Sequence, residues 1–167
     1  MMVRDWLAVG VIADTHGKLP EKVLEALAGV SYILHAGDIG RPQVIRALED
    51  VAPVYAVNGN EDNHKRGGLF PPLREITFLG HKILLVHDLG PTPELAHPAI
   101  MEKAARNYID IIIFGHSHLP TNEVMGKMLF FNPGSPSQPR FGFPPSVGIL
   151  TLSKNEAFGE IIYLNHT

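Results

Sequence analysis

The sequence predicts one α/β domain containing two sheets, the first opened by parallel strands and the second partly antiparallel. Three observations predict it. Apolar runs and amphipathic stretches alternate strand–helix–strand–helix–strand over residues 7–57. Hairpin signals dominate the second half. The length of 167 residues suits a single domain, 1–167, and the 45% apolar and 19% charged composition is that of a folded chain.

Leu7 to Ala13 is an apolar run that stops at Asp14, the mark of a strand buried on both faces. Pro20 opens a helix with Val23, Leu24, Leu27 and Ala28 on one face and Gly29 as its terminator. Tyr32 to Ala36 is the second strand, ending at Gly37-Asp38. Pro42 to Asp50 is the second helix, with Val44, Ile45 and Leu48 inward. Pro53 to Val57 is the third strand, ending at Asn58-Gly59-Asn60, and residues 63–72 read as a loop. Glu75–Leu79 and Lys82–His87 form a hairpin joined by Gly80-His81. A helix follows from Pro98 to about Tyr108, then a buried strand, Asp110 to Phe114, ending at Gly115-His116-Ser117-His118. Glu123–Phe131 turns at Gly126-Lys127. The loop 132–145 holds five of the 14 prolines, and Val147–Leu152 with Phe158–Leu164 closes the chain as a hairpin around Lys154-Asn155.

Several classes drop out. With no cysteine there are no disulfides and no thiolate metal sites. A net charge of −3 advertises no nucleic-acid partner. The longest apolar runs are too short to span a bilayer, and a cleaved leader would remove the chemistry that starts at Asp14. A cytoplasmic enzyme is the default expectation.

That chemistry sits at strand ends. Asp14-Thr15-His16, Gly37-Asp38, Gly59-Asn60 and Gly115-His116-Ser117-His118 each follow an apolar strand, and His87 closes a fifth. In an open α/β sheet the carboxyl ends of strands are where ligands bind. Carboxylate and amide oxygens mixed with imidazoles suit Mn, Fe, Zn or Co. Taken singly, a Gly-Asp or Gly-Asn is an ordinary turn. Together, at five strand ends of one small chain, they point to a metal centre.

The ordered set DTH, GD, GN, H and GHSH resembles the calcineurin-like metallophosphoesterase superfamily. The short chain, Asn132-Pro133-Gly134-Ser135 and Pro139-Arg140 are similar to its small prokaryotic phosphodiesterase branch. The resemblance implies an α/β/β/α sandwich of two mixed sheets flanked by helices. It implies that Asp14, His16, Asp38 and His118 hold one metal while Asn60, His87 and His116 hold the second, with Asp38 bridging. It implies in-line attack of a metal-bridging hydroxide on phosphorus, with manganese as the expected pair and Fe, Zn, Co, Ni or Mg as alternatives. Related sequences read GDxxD and GNH, where the second Asp orients a His that protonates the leaving group. This chain has Arg41 and Glu61 there. The catalytic set is therefore Asp38, Asn60, Glu61 as a candidate acid, and Asp62 as a residue orienting Asn60 or an outer water.

Other positions carry two readings each. His64, Lys65 and Arg66 are a solvated loop or a phosphate-binding flap. Asn132 and Ser135 are a tight turn, or a loop against the metals or the substrate. His35 is a satisfied core or outer-shell histidine. His81 belongs to a hairpin turn, His97 enters a helix, and His166 lies at the terminus. Phe141 and Phe143 anchor a loop or wall an apolar site. The expected partner is a phosphate-ester small molecule, with no membrane and with homo-oligomerisation left open. The competing functions are a protein-binding scaffold of the same fold, as in the retromer subunit, and a phosphomonoesterase or protein phosphatase. Metal content with turnover separates the first, and a phosphopeptide substrate the second.

Overall fold

A computed structural model of the chain describes residues 5–62 and 69–164. The strands are β1 (Trp6–Ile12), β2 (Tyr32–His35), β3 (Val54–Ala56), β4 (Leu73–Phe78), β5 (His81–Val86), β6 (Ile111–Ile113), β7 (Thr121–Met125), β8 (Met128–Asn132), β9 (Ser146–Ser153) and β10 (Ala157–Tyr163). The helices are α1 (Glu21–Ala26), α2 (Pro42–Glu49) and α3 (Pro98–Arg106). Two five-stranded sheets form, ordered β10-β9-β1-β2-β3 and β4-β5-β6-β8-β7. Both are mixed: β1, β2 and β3 run parallel, β9 and β10 antiparallel, and β6 pairs in parallel with both β5 and β8.

The strand alternation sorts the apolar side chains into three layers. Val9, Val11 and Leu34 face Ile83, Leu85, Ile111, Ile113 and Phe131 between the sheets. Ile12, Ile33 and Ala56 face Val23, Leu27, Val44, Ile45 and Leu48 of the α1–α2 side. Leu84, Ile112 and Phe130 pack with Ala104, Ile100 and Met101 of α3. A strand covered on both faces has no polar side, which is why β1 and β6 read as unbroken apolar runs. The expected α/β/β/α sandwich is the fold.

Two local expectations differ. The first helix ends at Ala26, and Leu27 adopts φ −94°, ψ 6°, so its apolar face spans little more than one turn. The β4–β5 turn is Leu79-Gly80, both at positive φ (50° and 85°), with His81 pairing opposite Phe78 as the first residue of β5. A two-residue hairpin with both central residues at positive φ is the geometry that matches strand twist. No helix among the described residues is long and apolar enough to cross a membrane.

Candidate metal centre

All five ligand-bearing segments meet at the carboxyl ends of β1, β2, β3, β5 and β6. The loops after β1 and β2 continue the strand pairing: the Asp14 N–H donates to Gly37 O (2.9 Å), His16 to Asp38 O (2.9 Å) and Gly17 to Ile39 O (2.8 Å). The Gly115 N–H donates to His87 O at 3.0 Å and joins the loops after β5 and β6 of the second sheet. Among the described residues eight non-glycine residues have positive φ, and five of them are Asp14, His16, Asp38, His116 and His118. Such backbone costs about 1–3 kcal/mol per residue and persists only where surroundings enforce it. Gly59 is one enforcing contact, because a Cβ there would overlap the backbone and carboxylate of Asp38.

The side chains converge. Asp14 Oδ1 lies 3.5 Å from His118 Nε2 and 3.9 Å from both His16 Nε2 and His87 Nε2. Asp38 Oδ2 lies 3.3 Å from His87 Nε2 and 3.7 Å from His16 Nε2. His16 Nε2 and His118 Nε2 are 3.2 Å apart, and His116 Nδ1 is 3.3 Å from His87 Nε2. Second partners fix two tautomers. His87 Nδ1–H donates to Ala36 O (2.7 Å) and His118 Nδ1–H to Gln138 O (2.6 Å), so each presents an Nε2 lone pair inward. Asp14 Oδ2 accepts from the His116 N–H at 3.0 Å. Asp14 Oδ1 is the buried side-chain oxygen among the described residues that has no hydrogen-bond partner. Two sets of donors lie within 4.8 Å of one another, Asp14/His16/His118 and Asp14/Asp38/His87. A partnerless buried carboxylate oxygen among converging imidazole lone pairs fits a divalent cation. His116 and Asn60 are exposed at the mouth.

The charges are tuned by burial and by one another. Burial pushes the Asp14 carboxyl up to about 7, with His87 opposing and Asp38 reinforcing. Burial also works against the Asp38 charge, but His87, the Glu61 N–H and His16 overcome it and hold its pKa below the ordinary value. Burial depresses His87, yet Asp38 and Asp14 more than reverse that and raise it. His118 is lowered by burial, with the Arg140 and His16 charges adding to the effect. The centre therefore holds protons that a cation must displace.

Around the ligands stands a ring of backbone braces. His35 is fully buried, and burial drives its pKa down to about 3. Its Nδ1 accepts from the Gly37 N–H (3.1 Å) and its Nε2 meets Thr15 Oγ1 (3.0 Å), whose hydroxyl donates to Ile39 O (2.8 Å). That is the satisfied outer-shell histidine expected. Asp62 accepts from the Gly59 N–H (2.8 Å) and, with the same carboxylate, from Ile39 (3.0 Å) and Gly40 (3.1 Å). It staples the Asp38 loop to the Asn60 loop, and its oxygens are occupied by backbone.

Asn132 and Ser135 require a correction as substrate contacts. They are 0% and 1% exposed. Asn132 Nδ2 donates to Gly115 O (3.2 Å) and Ser117 Oγ (3.1 Å), and Ser135 Oγ donates to Asp14 O (2.8 Å). They hold the ligand loops and face no solvent. Ser137, whose Oγ donates to Thr15 O (2.8 Å), belongs with them and was missed, as was Gln138. The polar residue between two ligands was the available signal for Thr15, whereas nothing in the sequence marked Ser137.

Glu61 donates its backbone N–H to Asp38 Oδ1 (3.0 Å), and the residue is exposed. His81 is no turn residue: its Nε2 meets Ser153 O at 2.7 Å across the sheets. His97 precedes α3 as expected. Phe141 is 79% exposed at φ 57°, so it anchors nothing. Phe143 is half-exposed beside prolines of the same loop. His64, Lys65, Arg66 and His166 lie outside the described residues.

Comparison with known proteins adds an independent line. The calcineurin-like phosphoesterase superfamily domain matches residues 7–155. A relative named "Probable metallophosphoesterase" from Methanothermobacter thermautotrophicus is 35% identical over 93% of this chain and 92% of its own. Phosphodiesterase YfcE of Escherichia coli K12 is 33% identical over 83% and 84%. Among solved structures, vacuolar protein sorting 29 from Cryptosporidium parvum superimposes with a TM-score of 0.78 at 24% identity, over 96% of this chain and 92% of that one. At that identity the likeness speaks to the fold alone.

Proposed function

The chain belongs to the calcineurin-like phosphoesterase superfamily, and from that premise we propose that it hydrolyses phosphodiesters at a centre of two divalent metal ions, manganese first among them. The observation that carries the reading is the convergence of Asp14 Oδ1, Asp38 Oδ2 and the imidazoles of His16, His87 and His118 in two adjoining donor sets that share Asp14. The phosphodiester preference rests on the relative of that name.

Asp14 belongs to both donor sets, while Asp38 Oδ2 reaches His87 of one set and His16 of the other, and the reading takes Asp38 as the bridge from the family resemblance. Asp14 has one oxygen engaged by the His116 N–H. Asp38 Oδ2 is close to His87 and within reach of His16, and its Oδ1 is oriented by the Glu61 N–H. Asp38 is the shared ligand on this reading. Asp14, His16 and His118 complete one position, and Asn60, His87 and His116 the other.

Bound cations supply positive charge for the phosphate oxygens and lower the pKa of a coordinated water. The chain's own residues do the rest. His87 and His118 are locked as Nε2 donors by Ala36 O and Gln138 O. Arg140 adds a positive field on Asp14 and His118. Glu61, exposed and tied to Asp38 Oδ1 through its backbone N–H, is the candidate acid for a departing oxygen on this reading. Chelator-stripped protein reloaded with Mn²⁺ should hydrolyse bis-p-nitrophenyl phosphate. No turnover with Mn²⁺, Zn²⁺, Fe²⁺ or Mg²⁺ would contradict the proposal.

A further inference from the structure

The two positions where the chain departs from GDxxD and GNH, Arg41 and Glu61, line one cavity of about 420 Å³. Its inner edge adjoins the proposed bridging carboxylate: Ile39 follows Asp38, and the Glu61 N–H donates to Asp38 Oδ1 at 3.0 Å. Its outer wall leans toward His16, since a Cβ on Gly17 would sit 3.0 Å from Arg41 Cγ and 3.2 Å from Arg41 Nε. The cavity is thus lined by chain neighbours of the ligands Asp38 and Asn60, namely Ile39 and Glu61, and lies beside the metal centre.

The lining is amphiphilic. Ile39, Ile45 and Phe70 supply apolar surface, and Arg41 and Arg46 supply two exposed guanidinium groups. Among the described residues neither guanidinium is in an ion pair. Two acids share the lining. Asp62 is saturated by the N–H groups of Ile39, Gly40 and Gly59. Asp62 keeps its charge, but its oxygens are engaged by backbone, so Glu61 is the lining carboxylate free to compete with a ligand for the two guanidinium forks, which match carboxylate and phosphate oxygens. The volume is that of a small-ligand pocket.

We propose that this cavity is a substrate subsite for an ester substituent that carries a second anionic group, a carboxylate or a phosphate, on a small apolar or planar body. The proposal rests on the phosphodiesterase reading and narrows its substrate class. The test uses Mn²⁺-loaded protein and four p-nitrophenyl aryl phosphodiesters. They differ only in the para group of the second ring: hydrogen, carboxylate, phosphate or trimethylammonium. The carboxylate or phosphate ring should exceed the unsubstituted ring by about tenfold in kcat/KM, carried by KM, as expected for one well-placed charged hydrogen bond. The trimethylammonium ring should be the poorest. Which anionic ring ranks first identifies the group the subsite takes. The double variant Arg41→Gln/Arg46→Gln should collapse the ranking to within about twofold, the residue of one lost charged contact. A flat ranking in the unaltered protein, or a ranking the double variant leaves intact, overturns the subsite while the phosphodiesterase reading stands. Hydrolysis of none of the four overturns both.

Discussion

On one flank of the centre, Asn132, Ser135 and Ser137 are turned inward and hydrogen-bonded to the backbone of the ligand loops. On the other flank, Arg41, Arg46 and Glu61 stand in solvent around an open cavity, and the Asp62 carboxylate and the Glu61 N–H tie the Asp38 and Asn60 loops together. Both flanks border the same cluster of carboxylates and imidazoles, yet they divide the work. The closed flank fixes geometry through buried polar contacts, which are costly to break. The open flank has exposed side chains that can change without disturbing the ligands. It is also where Arg41 and Glu61 replace the residues of the family pattern, and where the proposed substrate contacts of this chain lie.

The largest effect should come from removing what both flanks share. Asp38→Ala should lower activity on bis-p-nitrophenyl phosphate by about 10³-fold or more, because it removes charge stabilisation at both positions. Metal analysis of that variant should show loss from both positions. Full activity would break the bridging assignment.

Metal affinity should depend on pH. The folded, metal-free chain keeps a proton on Asp14 up to about pH 7, far above its ordinary value of 3.8, and His87 is raised as well. A cation must displace those protons, so affinity should climb as pH rises through 7, by up to about tenfold per unit for each proton released. Affinity is the right readout because stability mixes opposite signs. Asp14 stabilises the metal-free fold relatively as pH falls below 7. His35, depressed to about 3, loses stability as pH falls below 6.5, where the unfolded imidazole protonates. Affinity that is flat between pH 6 and 8 would show that no proton is displaced there and would contradict a raised Asp14 in the centre.

The braces of the two flanks should differ in kind. Asp62→Ala strands the buried-side N–H groups of Ile39 and Gly59 and should cost about 1–3 kcal/mol of stability, with weaker binding at the Asn60 position. Ser135→Ala loses the hydroxyl that donates to Asp14 O and accepts from the Gln138 N–H (2.9 Å), and should cost about 1–3 kcal/mol, with little change in metal stoichiometry. Thermal melts and metal titrations of the pair measure the contrast. Equal losses of metal would erase it.

The smallest effect is expected at Glu61. Glu61→Gln should leave aryl diesters almost unchanged, since p-nitrophenolate leaves unprotonated. If Glu61 is the acid, the same change slows alkyl esters by about 10²-fold or more. Equal rates on aryl and alkyl esters, insensitive to Glu61, would point to a different donor, with His64 the next residue to vary.

Much of this was legible in the residues. The unbroken apolar runs and the hairpin signals placed the strands, and polar residues at their carboxyl ends placed Asp14, His16, Asp38, His87, His116 and His118 on one rim. What escaped depends on tertiary contact. Nothing in Asn132 or Ser135 says whether the side chain faces a substrate or a neighbouring loop, and burial decides that. The sequence offers Asp62 as a residue orienting Asn60 or an outer water, whereas in the folded chain three backbone N–H groups engage its oxygens. The cavity could not be foreseen, because Arg41, Glu61 and Phe70 come from three segments that only the folded chain brings together.

The central claim is a pair of ions held by one set of side chains. Calorimetric titration of chelator-stripped protein with Mn²⁺ at pH 8 tests it most directly. The account predicts two ions bound per chain, reduced by more than half in Asp38→Ala. A single ion, or two ions that Asp38→Ala leaves in place, would contradict it.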